Sequence, residues 1–159
     1  MKKNNINNKK GFTIIEVILV LAIGSLIILM ALVALPSLQS SQRDQQRKTD
    51  YSMLETAVTN YSSNNRGQLP TAADFWKTYI KDSWADPSAG EYTVEIWETS
   101  KTQNQMPTID KTNKDDTGKI YILKSAKCDG ESPKYDATLG ARRYAIYAYL
   151  ESGNYCQAD

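Results

Sequence analysis

Histidine is absent from the 159-residue chain. The side chain that titrates near neutral pH, and that most often ligates metals, is therefore missing. Neither sign of charge dominates: 19 Lys and Arg against 18 Asp and Glu leave a formal net charge of +1. That balance argues against a dedicated nucleic-acid surface, though not against a local basic patch. No nucleophile motif, phosphate loop or spaced metal-ligand set occurs. An enzyme built from this sequence would have to rely on a carboxylate pair or a lysine. Cysteine is scarce, with Cys128 and Cys156 alone.

A long apolar run is present. From Val17 to Leu35 the chain is apolar apart from Gly24 and Ser25, about nineteen residues, enough for a helix to cross a bilayer core. Before it comes the basic tail MKKNNINNKK, ending at Gly11. A secretory signal would place its cleavage site after the apolar core. Here the plausible processing point, Gly11–Phe12, lies before that core, so cutting would leave the core on the mature protein. Lys2, Lys3, Lys9 and Lys10 would hold the N-terminus on the cytoplasmic side, with the rest of the chain outward. A lone carboxylate, Glu16, stands at the start of the apolar run. Such residues usually have a partner. Cleavage at Gly11–Phe12 would turn the Phe12 nitrogen into an amine that is mostly cationic at neutral pH, and Glu16 is expected to pair with it, on a neighbouring subunit. The other reading of Glu16 is a side chain snorkelling at the membrane boundary.

Past this run, Pro36 disfavours a straight helix, and a kink or a locally unwound turn is expected there. The helical pattern resumes with a polar stretch containing Arg43, Asp44, Arg47, Lys48 and Asp50, which is either solvated or packed on partners through charge. Tyr51, Leu54, Ala57, Val58 and Tyr61 then share a face that should pack on a sheet. The Ser-Asn run, Gly67 and Pro70 end the helix. From Thr13 to Asn64 it would be roughly 78 Å long, a stalk carrying a head. A short helix capped by Thr71 is expected through Phe75, Trp76, Tyr79 and Ile80, and Asp86 to Gly90 is turn chemistry. Period-two strands are expected at Tyr92–Glu98, Lys119–Leu123 and Arg143–Leu150, with a long polar loop from about Thr99 to Thr117. The fold class read from this pattern is α+β, a long N-terminal helix on a small antiparallel sheet of about three strands with one apolar face.

The motif G-F-T-I-I-E at Gly11–Glu16, behind a basic leader and ahead of an apolar run, resembles the prepilin peptidase site of the type IV pilin superfamily. The resemblance implies cleavage after Gly11, N-methylation of Phe12 and an assembly role for Glu16. A proline near Pro36 is also frequent in such proteins. It further implies a division into a leader (1–11), a membrane and filament-core helix (12–36) and a continued amphipathic helix with globular head (37–159). The implied function is a structural, non-enzymatic pilus subunit serving motility, adhesion or DNA uptake. Its precursor sits in the membrane with the head outward, and its mature form in an extracellular filament. Its implied partners are copies of the same chain joined through their N-terminal helices, the prepilin peptidase, and an assembly ATPase with a membrane platform. No cofactor is implied. Two alternatives remain: a pseudopilin of a type II secretion or competence system, and a minor pilin acting as an adhesive tip.

Within the head, an even cysteine pair in a translocated domain suggests a Cys128–Cys156 disulfide, the alternative being two free thiols in a reduced protein. Asp110, Asp115 and Asp116, with Asn113, are weak candidates for calcium, as in some related pseudopilins. They lack the spacing of a standard calcium loop, and Lys111, Lys114 and Lys119 dilute their charge. Arg142 and Arg143 could form a patch for nucleic acid, or simply protect a strand end. Trp76, Trp84, Trp97, Tyr147 and Tyr149 could line an adhesive surface, and core packing explains them equally well.

Overall fold

The computed structural model describes residues 11–81, 83–98, 107, 109 and 116–159. The chain divides into two units, Met1–Gln39 and Ser40–Asp159. One helix, α1, runs over Ile14–Asn64 and contributes to both.

In the first unit α1 carries the apolar run. Its large side chains are exposed, from Ile14 through Leu35. This segment is long and apolar enough to cross a membrane. Helical geometry continues through Pro36, so the locally unwound turn expected there is not formed. The missing proline N–H leaves the Leu32 carbonyl without its intrahelical donor.

In the second unit the amphipathic half of α1 packs as its period requires. Tyr51, Leu54, Ala57 and Val58 are buried in one cluster with Val94, Ile120, Ile122, Ile146, Ala148 and Leu150. The helix stops in a Schellman-type turn, with Gly67 N–H donating to the Ser62 carbonyl at 2.8 Å. Arg66 takes the left-handed residue of that turn, with φ +56°. Glycine is the usual occupant, and a side chain there costs about 1–2 kcal/mol.

Eight strands are assigned among the described residues: β1 (Ala85–Asp86), β2 (Gly90–Glu91), β3 (Thr93–Trp97), β4 (Lys119–Lys124), β5 (Ala126–Asp129), β6 (Ser132–Tyr135), β7 (Tyr144–Leu150) and β8 (Gly153–Ala158). The main sheet has the order β3-β4-β7-β8. The expected three strands are β3, β4 and β7, and two corrections apply. First, β3 and β4 are parallel, with Val94 opposite Ile120 and Ile96 opposite Ile122. Parallel pairing needs a crossover of a dozen or more residues, and the segment between Trp97 and Lys119 provides that length. Second, β8 adds a fourth strand, antiparallel to β7, with Cys156 opposite Tyr147. Its sequence, GNYCQA, lacks the apolar alternation that marks a strand.

The sheet also has two apolar faces rather than one. Ile120 and Ile122 point to the α1 side, while Tyr121 and Leu123 join Ala126, Ala145 and Tyr147 in a second cluster on the other face. Side chains alternate across a strand, so a central strand covered on both sides is apolar throughout. The ribbon β5-β6 covers this second face. Cys128 on β5 is disulfide-bonded to Cys156 on β8. The expected short helix is a single 3₁₀ turn, Phe75–Thr78, with no side-chain cap. Phe75 and Trp76 bury themselves in the core instead.

Candidate functional site

The N-terminal segment builds its geometry from four residues. Gly11, Phe12 and Thr13 precede the first helical residue and are exposed, Phe12 at 89 %. Thr13 is the N-cap of α1. Its backbone N–H and its hydroxyl both donate to Glu16 Oε2, at 2.9 and 2.8 Å, and the Glu16 N–H lies 3.4 Å from Thr13 Oγ1. This is a capping box, in which a Thr and a Glu three residues later satisfy each other's backbone donors. The Thr13-x-x-Glu16 spacing carries the capping-box signal in the sequence itself. In the intact chain the Phe12 nitrogen is a peptide group, so Thr13 supplies the contacts to the carboxylate. Further along, Ser25 satisfies its hydroxyl by donating to the Ala22 carbonyl at 2.8 Å. Gly24 has open space where a Cβ would lie, so another helix could approach it closely.

In the second unit, Asp44, Arg47 and Asp50 of the polar stretch are buried, Arg43 is half-buried and Lys48 is exposed, and the buried Asp44 and Arg47 pack through charge on partners within the same chain. Arg47 is 1 % exposed and lies among acids. Its Nε donates to Asp86 Oδ2 at 2.6 Å, and one terminal nitrogen reaches Asp86 Oδ1 at 3.2 Å and Ser88 Oγ at 3.0 Å. The other donates to Asp44 Oδ1 and Glu151 Oε1, each at 3.2 Å. Arg43 adds a two-point contact to Glu151, its second bond at 2.7 Å. Asp44 accepts the backbone N–H groups of Glu151 and Ser152, at 2.8 and 3.0 Å, and so fastens the β7–β8 turn to α1. The turn read at Asp86–Gly90 supplies the rest, because Asp86 Oδ1 also accepts the N–H groups of Ser88 and Ala89.

These contacts set the titration of the acids. Burial pushes Asp86 up, but the Arg47 guanidinium and the two turn N–H groups outweigh it and hold the carboxyl below its usual range. Asp44 behaves likewise: burial raises it, and its bonds from Ser152, Glu151 and Arg47 bring it below normal. Glu151 is lowered by its bond to Arg43 above all. Asp50 differs. Its carboxylate accepts the Tyr92 hydroxyl at 2.9 Å, and burial keeps it above the usual range despite that bond.

The remaining candidates separate. Asp110 and Asp115 lie outside the described residues, as do Asn113, Lys111 and Lys114. Asp116 is buried and holds Lys119 Nζ at 2.9 Å. Among the described residues no group of three acids or cysteines is placed to hold a metal ion. Of the five aromatics, Trp76, Trp84 and Tyr147 are buried and belong to the core rather than to an adhesive face. Trp84 packs between Trp76 and Tyr92, with ring centroids 4.6 and 4.5 Å away. Arg142 lies against Gly67, and Arg143 is exposed just ahead of β7.

No curated protein and no solved structure matches the chain. Residues 6–32 match the family described as the prokaryotic N-terminal methylation motif. The chain thus carries a type IV pilin-like prepilin motif, on a pilin-like α+β layout of one long N-terminal helix and a packed sheet.

Proposed function

We propose that this chain is a structural subunit of a type IV pilus. A prepilin peptidase cuts it between Gly11 and Phe12, Phe12 is N-methylated, and the product polymerises into a surface filament. The leader is then 1–11, the membrane and filament-core helix 12–36, and the remainder, 37–159, the helix continuation and head. The single observation that carries this reading is the order of parts in the matched motif. An exposed, non-helical Gly11–Phe12 bond stands immediately before a capped apolar helix whose side chains are all available to lipid or to like helices.

The precursor waits in the membrane with its head outward. An apolar helix loses little when lipid is exchanged for other apolar helices, so packing and pairing decide the balance. Gly24 permits close approach in such a bundle. Cleavage creates the Phe12 amine, and Glu16 on a neighbouring copy is its partner. Repeated contacts whose rotation does not close give an open filament. The role is structural rather than catalytic, with force for assembly coming from an external ATPase and platform.

The test is the intact mass and N-terminal sequence of protein sheared from cells. An abundant product starting at methylated Phe12, in long filaments, is the expected result. The same start with only trace filament would transfer the chain to the pseudopilin or tip reading. A chain starting at Met1 in the membrane fraction would overturn the proposal.

A further inference from the structure

A groove of about 410 Å³ opens on the head beside the end of α1, lined by Arg66, Gly67, Thr71, Lys124 and Arg142, with Leu69 also contributing. Three cationic side chains converge there. Lys124 is balanced in part by Glu98 at 3.1 Å. Arg66 and Arg142 make no ion pair with any described residue. Two exposed guanidinium groups without an ion pair to a described residue line one groove, and the backbone beside them is unusual. Arg66 stands in the left-handed region, where glycine would be easier. Gly67, at φ +81°, leaves the space that Arg142 uses, since a Cβ at residue 67 would sit 2.9 Å from Arg142 Nε. The negative end of the α1 dipole accounts for part of this attraction of cations, but it does not require a strained arginine at the turn.

We infer that this groove binds a phosphate or phosphodiester group. Guanidinium forks match the oxygens of such an anion in pairs. A tetrahedral anion offers more oxygens to such a set of donors, whereas a carboxylate has only two to share. Among the described residues the lining carries no aromatic side chain on which a base could stack, so the phosphate itself is what is recognised. Free phosphate esters and phosphodiester chains are two sources of that one chemistry. The site lies wholly in the head and does not depend on how the N-terminus is processed.

The full chain in neutral-detergent micelles would be titrated with inorganic tripolyphosphate by calorimetry. A labelled DNA duplex of arbitrary sequence would be followed by anisotropy at low and at physiological salt. Saturable binding is expected, weakened roughly tenfold by Arg142→Ala and by Arg66→Gly, and unchanged by Lys134→Ala on β6. Arg66→Gly is the decisive variant: it relieves the positive φ, so the melting temperature holds or rises while affinity falls. Binding of tripolyphosphate alone would assign a small phosphate ligand. Binding of both, with the duplex salt-sensitive, would assign the backbone of a polymer. Absence of saturable binding by either probe, or equal weakening by Lys134→Ala, would overturn the inference.

Discussion

Arg47 and Asp86 meet in a two-point ion pair, at 2.6 and 3.2 Å, although 39 residues separate them in the chain. They are 1 % and 4 % exposed. Each is satisfied by further bonds, Arg47 by Asp44, Glu151 and Ser88, and Asp86 by two backbone N–H groups. A buried pair of this kind adds little net stability over an apolar replacement of both members, but removing one member strands the other.

Arg47→Met should therefore destabilise the head by about 3–5 kcal/mol, read from urea denaturation followed by circular dichroism. The Arg47→Met/Asp86→Asn double variant should lose less than the sum of the two single variants, because the residue 86 side chain no longer stays buried as a carboxylate without its guanidinium. Additive losses would mean that the two residues do not act as a pair.

Acid should weaken the head. Asp44, Asp86 and Glu151 are held below their ordinary values. A lowered carboxylate contributes its full stabilisation above its unfolded pKa, near about 4, and loses it as pH falls through the folded value. Asp50 is raised and has the opposite sign: it costs stability as pH climbs past its folded value, so its protonation in acid offsets part of the loss. The urea midpoint should fall below about pH 4, and more gently in Arg47→Met, where the lowering of Asp86 and Asp44 is reduced. A midpoint indifferent to acid would remove these ion pairs from the stability of the head.

Opening the Cys128–Cys156 bond frees a loop with a sequence separation of 28. Chain entropy alone predicts a loss of about 3–4 kcal/mol. The paired Cys128→Ser/Cys156→Ser variant should melt earlier than the parent, and a reducing agent should lower the parent to the same temperature and leave the variant where it is.

Glu16→Gln separates two roles of one side chain. Glutamine can still close the capping box with Thr13, so the helix start should be kept. It has no charge to offer a Phe12 amine, so the yield of sheared filament should drop severalfold while the N-terminal mass still reports cleavage. Wild-type filament yield from this variant would show that the cap, and not the charge, is what Glu16 supplies.

Much of this fold was legible in the residues. The stripe Tyr51, Leu54, Val58 gave the helix face, and period two gave β3, β4 and β7. The burial of Asp44 and Arg47 was left open, because a polar helix segment is ordinarily solvated. The signal was there all the same: Asp44 and Arg47 continue the stripe backwards from Tyr51 at helical spacing, so a charge on that stripe had to be buried and therefore paired. What no local pattern could supply was the identity of the partners, since Asp86 and Glu151 are fixed by tertiary register. The parallel β3–β4 pair was similarly hidden, although the length of the connection between those strands permitted it. The cationic groove was only half visible, because Arg142 was noticed in the sequence but Arg66, at the end of the helix, was not.

The bonds from Arg43 and Asp44 to Glu151 and Ser152 also impose an order in time. Their acceptors and donors lie 107 and 108 residues downstream. As the chain is made, α1 emerges first, with its charged stretch uncompensated and open to water. The two ends of the contact can close only when the β7–β8 turn has followed. The head therefore locks late and from its far side, and until then α1 is held by its apolar half alone.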